Sequence, residues 1–225
     1  MRTPSCGTGA RPYLAGMGAP VDTSPVILEQ IPQTQDRRFA FTDVFGNDKP
    51  VELELGIGKG RFLIQSAEAH PERNWVGVEW ASRYYRMVAE RAAKRGLHNL
   101  RVLRDDAGKV VRDNVGDAAV DVLHVYFPDP WPKARHLKRR LVQAPFAREA
   151  ARILKDGGSV QLATDHEDYA VQMEEVFNAD PDFEQTFRAV GDEAPEGVTN
   201  WEVKFRREGR TIHKFEYRRK PRGSA

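Results

Sequence analysis

The sequence predicts an α/β fold built on a mainly parallel sheet, and three observations support this class. From residue 50 onward, short apolar segments alternate with segments whose apolar residues recur at helical spacing. Glycine or proline follows several of these segments, as expected where a chain turns. The composition, 40% hydrophobic and 30% charged residues among 225, is that of a globular domain.

The beginning of the chain is predicted to lie outside this sheet. Residues 1–25 lack hydrophobic periodicity and are rich in Gly, Pro, Ser and Thr, so we expect them to be disordered. Met17 offers a second start site, and the sequence does not choose between it and Met1. Residues 26–49 are predicted to be a lead-in segment lying over the domain, which we assign to 50–222.

The predicted strands are rich in Val and Leu and follow one another at regular intervals. They are 51–55, 74–79, 100–103, 120–127 and 159–163. The helices between them carry apolar side chains on one face. They begin near Phe62 and Tyr85, run from Phe146 to Leu154, and include Tyr169 to Phe177.

Glycines and prolines are expected to end several of these elements. Gly96 ends the second helix, Pro128 ends the fourth strand, and Gly157-Gly158 are expected to stop the third helix. The last 30 residues, with the alternating stretch 211–217, are predicted to add an antiparallel hairpin.

Cysteine content and hydropathy exclude several classes of protein. Cys6 is the single cysteine, so an intramolecular disulfide and a Cys-cluster metal site are excluded, and we expect a cytoplasmic protein without a metal. No apolar run approaches the roughly 20 residues that cross a bilayer, so no membrane association is predicted. Nothing indicates an obligate protein partner, and the oligomeric state is not defined.

The net charge of +2, from 35 basic and 33 acidic residues, conceals a separation of charge along the chain. Five of the eight residues in 133–140 are Lys or Arg, and none is acidic. Stretch 203–222 has nine basic residues and two acidic ones. Both segments are candidates for phosphate binding on an otherwise acidic chain.

A glycine cluster follows the first predicted strand. Gly56, Gly58 and Gly60 there would let a ligand approach the backbone closely. A dinucleotide-binding loop would have its third glycine at Arg61, and the carboxylate of Glu54 would repel a pyrophosphate. The pattern therefore disfavours a nicotinamide dehydrogenase and favours a nucleoside-like cation such as S-adenosylmethionine.

Acidic residues also end the next two strands. Glu79 could accept both hydroxyls of a ribose, although a solvated strand-end glutamate is the alternative. Asp106 could accept the amino group of adenine, with the small Ala107 leaving room for the ring. Taken alone, Asp106 is more often a helix cap.

The loop after the fourth strand combines a carboxylate with an aromatic ring. Three prolines between 128 and 132 stiffen it around Asp129 and Trp131. We expect Asp129 at the edge of a ligand site. Trp131 could stack on a base or pack inward, and the sequence favours neither.

Two blocks of this sequence resemble those of one family, the bacterial tRNA (guanine-N7-)-methyltransferases, and the resemblance spans about 45–219. The blocks are Pro128-Asp129-Pro130-Trp131-Pro132-Lys133 with Arg135-His136 and Lys138-Arg139-Arg140, and Thr199-Asn200-Trp201-Glu202 with Lys204-Phe205 and Gly209-Arg210. Ala134 and Leu137 replace residues that are commonly basic in the family, so we expect fewer phosphate contacts there.

The resemblance implies a Rossmann-like class I methyltransferase with a seven-stranded sheet and helices on both faces. It implies methyl transfer from S-adenosylmethionine to N7 of the variable-loop guanine, position 46, of tRNA. The implied cofactor-binding residues are Glu54, Gly56, Gly58, Glu79, Asp106, Ala107 and Asp129. The implied substrate-binding residues are Lys133, Asp165, Thr199, Asn200, Trp201 and Glu202.

Asp129 is also the implied catalytic residue, because a carboxylate can stabilise the positive charge that develops on the purine. Asp165 could instead cap the next helix, and Glu202 could simply pair with a basic neighbour. Two other functions remain open. A methyltransferase of an exocyclic amine would usually have two consecutive prolines after Asp129, and a non-catalytic RNA-binding protein would need none of the cofactor acids.

Overall fold

A computed structural model of the chain describes residues 20–28, 41–194 and 199–223. It contains one seven-stranded sheet, which confirms the predicted α/β class. The strands are β1 (Val51–Leu55), β2 (Asn74–Val78), β3 (Leu100–Leu103), β4 (Val120–Tyr126), β5 (Leu154–Thr164), β6 (Phe183–Val190) and β7 (His213–Arg219). Their order is β3-β2-β1-β4-β5-β7-β6.

The helices lie between the strands and cover both faces of the sheet. They are α1 (Phe41–Phe45), α2 (Arg61–Ala69), α3 (Ser82–Lys94), α4 (Ala107–Lys109), α5 (Ala144–Ile153), α6 (Glu167–Asn178) and α7 (Asn200–Arg207). A π-helical turn at Val110–Asn114 continues α4, and 3-10 turns occupy Ala134–Arg139 and Gly191–Glu193.

The alternation of side chains along the strands divides the core into two apolar clusters. The larger cluster joins Leu53 and Leu123 of the central strands to α5 and α6. The smaller cluster joins Trp75 of β2 and Leu63 of α2 to α3. Together the two clusters hold the central strands between layers of helices, as parallel sheets require.

The direction of the strands determines where the predicted site residues meet. β1 pairs in parallel with β2 and β4, β2 with β3, and β4 with β5. β7 runs antiparallel to both β5 and β6. The carboxyl ends of the five parallel strands therefore share one edge, where ligands of open α/β sheets bind.

Two features differ from the sequence prediction. Helix α5 ends at Ile153, and Gly157-Gly158 do not stop it but lie inside β5, where the pairing with β4 shifts register. A Cβ on Gly158 would lie 2.8 Å from the carbonyl oxygen of Asp121, so this bulge excludes a side chain. The hairpin partner of β7 is β6, which lies before the last 30 residues and was not predicted.

The segment before the domain is described only in part. Most of the predicted disordered segment 1–25, and residues 29–40 of the predicted lead-in, lie outside the described residues. Leu28 N–H donates to Val102 O at 2.9 Å, and Val102 N–H donates to Val26 O at 2.9 Å. This short parallel bridge covers the free edge of β3. Within the described ranges, no helix is both long and apolar enough to span a membrane.

Candidate active site

A cavity of about 810 Å³ opens at the carboxyl ends of β1, β2 and β4. Seven of the residues predicted to bind cofactor or substrate line it: Gly56, Gly58, Glu79, Asp106, Ala107, Asp129 and Trp201. Several lining residues were missed, among them Trp80, Tyr84, Asp105, Arg112 and Leu141. Trp80 directly follows Glu79, so position along the chain was the one signal that could have identified it.

The glycine turn after β1 shapes one wall of this cavity. Gly60 precedes α2 in the left-handed region at φ 68°, and a Cβ there would lie 2.5 Å from Val88 Cγ2. Gly58 also has a positive φ of 52°, but its Cβ would meet only Trp201 Nε1, at 3.6 Å. Gly60 is therefore required for helix packing, whereas Gly58 leaves space on the cavity side.

Glu79 joins this turn to the end of β2. Its Oε2 accepts from the backbone N–H of Gly58 at 2.8 Å, and its Oε1 accepts from that of Ala81 at 2.7 Å. The side chain is buried, yet it lines the cavity. A carboxylate oxygen has two acceptor positions, so each oxygen keeps one for a further donor such as a ribose hydroxyl.

Glu54 does not line the cavity, although the next residue along β1, Leu55, does. Glu54 is 4% exposed, and among the described residues its Oε2 has no hydrogen-bond partner. Burial, and secondarily the negative charge of Glu79, raise the pKa of Glu54 well above its usual value. A positively charged ligand near Glu54 would balance the negative charge of its ionised carboxylate.

The residues at the end of β3 combine a structural contact with access to the cavity. Asp106 caps α4, where its Oδ1 accepts from the backbone N–H of Lys109 at 2.8 Å. The capping alternative is therefore present, and the same side chain lines the cavity beside Ala107. One carboxylate can do both, because a cap occupies only one of its acceptor positions.

The proline-rich loop after β4 places Asp129 at the cavity mouth, with its side chain exposed. Trp131 also lines the cavity and is half-buried. The guanidinium of Arg139 lies 5.0 Å from the Trp131 ring centre, and the His136 ring packs against it edge-on at 5.8 Å. Trp131 is thus engaged by its own loop on two sides.

The second family-like block forms the start of α7. Thr199 caps this helix by accepting from Glu202 N–H at 3.0 Å. Trp201 is 43% exposed, stacks on Phe205 and reaches the cavity, whereas Asn200 does not line it. Glu202 is 2% exposed and pairs with Arg206 at 3.0 Å and with a β7 lysine at 2.9 Å. Its carboxylate therefore faces basic neighbours, as the alternative interpretation expected.

Lys133 and Asp165 lie outside the cavity lining. Lys133 is exposed and precedes the 3-10 turn that carries the basic run. Asp165 is largely buried and pairs with Arg210 at 2.6 Å. The residue at the capping position of α6 is His166, so the alternative role of Asp165 as that cap is wrong.

Most basic side chains of the C-terminal stretch are engaged in ion pairs within the protein. Within the described residues, six of the nine basic side chains in 203–222 form ion pairs: Lys204, Arg206, Arg210, Lys214, Arg219 and Arg222. Arg135, Lys138 and Arg139, in contrast, are exposed beside the cavity. The basic surface next to the site therefore comes mainly from the shorter run.

A polar chain that the sequence did not reveal crosses the sheet beneath the site. His124 Nε2 contacts Glu52 Oε2 at 2.7 Å, and its Nδ1 contacts the hydroxyl of Tyr126 at 2.9 Å. Tyr126 donates to Gln161 at 2.8 Å, and Gln161 donates to Glu216 at 3.3 Å. Burial raises the pKa of Tyr126, so its hydroxyl stays protonated. Polar residues at alternate positions of apolar strands were the available signal.

A family model described as putative methyltransferase matches residues 48–215. The tRNA (guanine-N(7)-)-methyltransferase of Haemophilus influenzae is 41% identical over 152 residues, covering 68% of this chain and 62% of the relative, so the chain spans less than two thirds of that protein. The enzyme of the same name from Chromobacterium violaceum is 38% identical over 195 residues, covering 80% and 84%.

A solved structure of lower sequence identity supports the fold. It is a mutant form of the 16S rRNA (adenine(1408)-N(1))-methyltransferase with cosubstrate SAM, from Catenulisporales acidiphilia. The TM-score is 0.57 at 16% identity, with 82% of this chain and 92% of that chain covered.

Proposed function

The chain belongs to the bacterial tRNA (guanine-N7-)-methyltransferase family, and from this premise we propose that it methylates N7 of the variable-loop guanine, position 46, of tRNA. S-adenosylmethionine is the proposed methyl donor. One observation carries the proposal. The carboxylates of Glu79, Asp106 and Asp129 come from three different strand ends and line one cavity, beside the exposed basic run.

The residues around the cavity fit this donor. The buried Oε2 of Glu54, which has no hydrogen-bond partner in the described part of the chain, suits a cation, and Glu79 keeps an acceptor position on each oxygen for the ribose hydroxyls. Asp106 would accept from the adenine amino group, with Ala107 beneath the ring. When bound, S-adenosylmethionine supplies an electrophilic methyl group on a sulfonium. Gly56 and Gly58 leave the backbone open to it.

In this reaction the main contribution of the protein is to position the two reactants. Guanine N7 carries a lone pair and no proton, so its methylation needs no strong general base. Holding two reactants in line lowers a barrier by roughly 7 to 11 kcal/mol in favourable cases. Displacement at a sulfonium methyl also needs no metal ion.

Asp129 is the proposed catalytic residue. Positive charge moves onto the purine as the new bond forms, and a carboxylate at the cavity mouth stabilises that charge. The same carboxylate would accept from the guanine N1–H or amino group and so orient the base. Its exposed position leaves it free to meet an incoming nucleotide.

The tRNA would lie across the basic run and the start of α7. Lys133 and its exposed neighbours would contact phosphates, and the exposed indole of Trp201 offers a stacking face. Thr199, Asn200, Asp165 and Glu202 are assigned to substrate binding by the family pattern. For Asp165 and Glu202 we propose an indirect role in substrate binding. The ion pair of Asp165 fixes Arg210, and the ion pair of Glu202 fixes α7. We also propose a cytoplasmic location, where tRNA is found, and a site that works without an obligate protein partner.

The test is one incubation of the protein with labelled S-adenosylmethionine and unmodified tRNA. We expect label at a guanosine where borohydride and aniline cleave the chain, because that treatment cleaves at N7-methylguanosine. Label without cleavage would point to an exocyclic amine, and no label would leave the non-catalytic RNA-binding function. Asp129→Ala should abolish transfer with the fold intact, whereas Asp48→Ala, an exposed aspartate before β1, should not.

A further inference from the structure

The loop that carries Asp129 has an unfavourable backbone. Phe127 and Trp131, on either side of the Pro-Asp-Pro segment, have φ values of 51° and 42°. Residues with side chains rarely adopt this left-handed region, and it persists only where surrounding contacts hold it. Phe127 is held because its N–H donates to Ala163 O of β5 at 2.7 Å. The Trp131 end of the loop requires a separate stabilising contact.

Arg140, the last residue of the basic run, supplies that contact. Its Nε donates to the carbonyl oxygen of Pro130 at 2.7 Å. Its Nη1 donates to Oε1 of Gln172 at 2.8 Å, and its Nη2 pairs with Oδ2 of Asp168 at 2.5 Å. The guanidinium is thus fixed between the loop and α6, and its side chain is only 2% exposed.

Helix α6 supports this arrangement with three further contacts. The Arg140 guanidinium lies 4.7 Å from the ring centre of Tyr169. The hydroxyl of Tyr169 accepts from Val142 N–H at 3.0 Å, and Gln172 donates to Val142 O at 2.8 Å. Burial raises the pKa of Tyr169 to about 12, so the hydroxyl stays neutral in the physiological range. Arg140 and the chain that follows it are therefore docked on one helix.

The neighbours of Arg140 in the basic run have the opposite character. Arg135 and Lys138 are exposed, as a phosphate contact requires. In Arg140, by contrast, Nε, Nη1 and Nη2 each donate to a partner within the protein. We propose that Arg140 is not an RNA contact but a positioning residue, which fixes the Pro130 carbonyl and thereby holds Asp129 at the cavity mouth. This inference rests on the proposed function.

The test separates chemistry from RNA binding. Arg140→Gln should lower kcat at saturating tRNA and S-adenosylmethionine by about 10- to 100-fold, because small misplacements of a catalytic group have effects of this size. The salt dependence of tRNA binding should not change. Arg140→Lys, which can reach one partner but not all three, should recover part of kcat. Arg135→Gln should instead reduce the salt slope by about one, since it removes one phosphate contact.

Two controls address charge and folding. Arg148→Gln removes an exposed charge on α5 and should change neither quantity. If Arg140→Gln does not fold, Gln172→Met removes one partner of the guanidinium and should lower kcat in the same direction by a smaller factor. If Arg140→Gln lowered the salt slope as Arg135→Gln does and kept the wild-type kcat, the positioning role would be overturned and Arg140 would be a phosphate contact.

A readout without catalysis distinguishes this inference from the proposed function. If the wild-type protein transfers no methyl group, the proposed function fails, but the contact can still be tested by hydrogen exchange. The amides of Phe127 and Val142, which donate to Ala163 O and to the Tyr169 hydroxyl, should exchange faster in Arg140→Gln than in the wild type. Unchanged exchange there would refute the role of Arg140 whatever the activity.

Discussion

The contacts of Glu79 allow a prediction in which folding and cofactor binding change together. Glu79→Gln keeps the size of the side chain but replaces one acceptor oxygen by an amide NH₂. In the wild type, both oxygens accept from backbone N–H groups, those of Gly58 at 2.8 Å and Ala81 at 2.7 Å. Glutamine can satisfy one of them, and its NH₂ then faces the other donor.

The expected loss of stability follows from these two hydrogen bonds. A hydrogen bond to a charged group contributes about 1.5 to 3 kcal/mol, and a buried donor left without a partner costs about 1 to 3 kcal/mol. We therefore expect the free energy of unfolding of the cofactor-free protein to fall by about 2 to 3 kcal/mol. For a domain of this size, that lowers Tm by about 4 to 12 °C.

Cofactor affinity should fall for a related reason. The amide removes one acceptor for a ribose hydroxyl and the negative charge that strengthens the other. A loss of about 1.5 to 3 kcal/mol raises Kd by about 10- to 150-fold. Isothermal titration with S-adenosylmethionine measures Kd, and thermal unfolding without ligand measures stability.

Glu175→Gln is the matched control, because Glu175 is exposed on α6 and the change removes the same charge. It should leave Tm and Kd at their wild-type values. If Glu79→Gln lowers Tm but leaves Kd within about twofold, a difference of roughly 0.4 kcal/mol, Glu79 only holds the glycine turn and the ribose role is refuted. If Tm does not move either, the backbone contacts do not have the energy assigned to them.

Two further predictions concern the neighbouring residues. Gly60→Ala should lower the free energy of unfolding by about 2 to 5 kcal/mol in denaturant titration, since it adds backbone strain at φ 68° and a Cβ 2.5 Å from Val88. Gly56→Ala, also at positive φ but with nothing within 4 Å, should cost only about 1 to 2 kcal/mol; equal losses would contradict the packing argument. Burial and the charge of Glu79 raise the pKa of Glu54, and a bound sulfonium would oppose both by favouring the ionised carboxylate. Affinity for S-adenosylmethionine should therefore rise as pH rises through that pKa, and calorimetry of Glu54→Gln should show a flatter profile; the same pH profile in both proteins would exclude Glu54 as the cause.

Much of the fold is predictable because its signals are local. The strands β1 to β4 are short apolar runs that end in Gly, Pro or an acid, and their bounds match the prediction to within a residue. β6 was missed because it is an edge strand whose residues between Phe183 and Ala189 are exposed, so it lacks an apolar pattern. Gly157-Gly158 carry the signal of a helix end, but in three dimensions they form a bulge against Asp121.

The candidate site was predictable to the extent that parallel strands end at one edge. Glu79, Asp106 and Asp129 follow different strands, so a parallel sheet brings them together without any knowledge of packing. The contacts of Trp131 with Arg139 and His136 were not predictable, because the backbone of a loop with positive φ values determines where its side chains point.

By itself, the sequence determined the kinds of group available and their place at the strand ends. Only the tertiary structure decided which charges are free. Arg135 and Arg140 are five positions apart in one basic run, yet one is exposed and the other is buried against α6. Glu202, predicted to contact substrate, is paired inside the protein with Arg206 and a β7 lysine. Burial, and pairing between different helices and strands, depend on how these elements pack, which a count of charges along a segment does not describe.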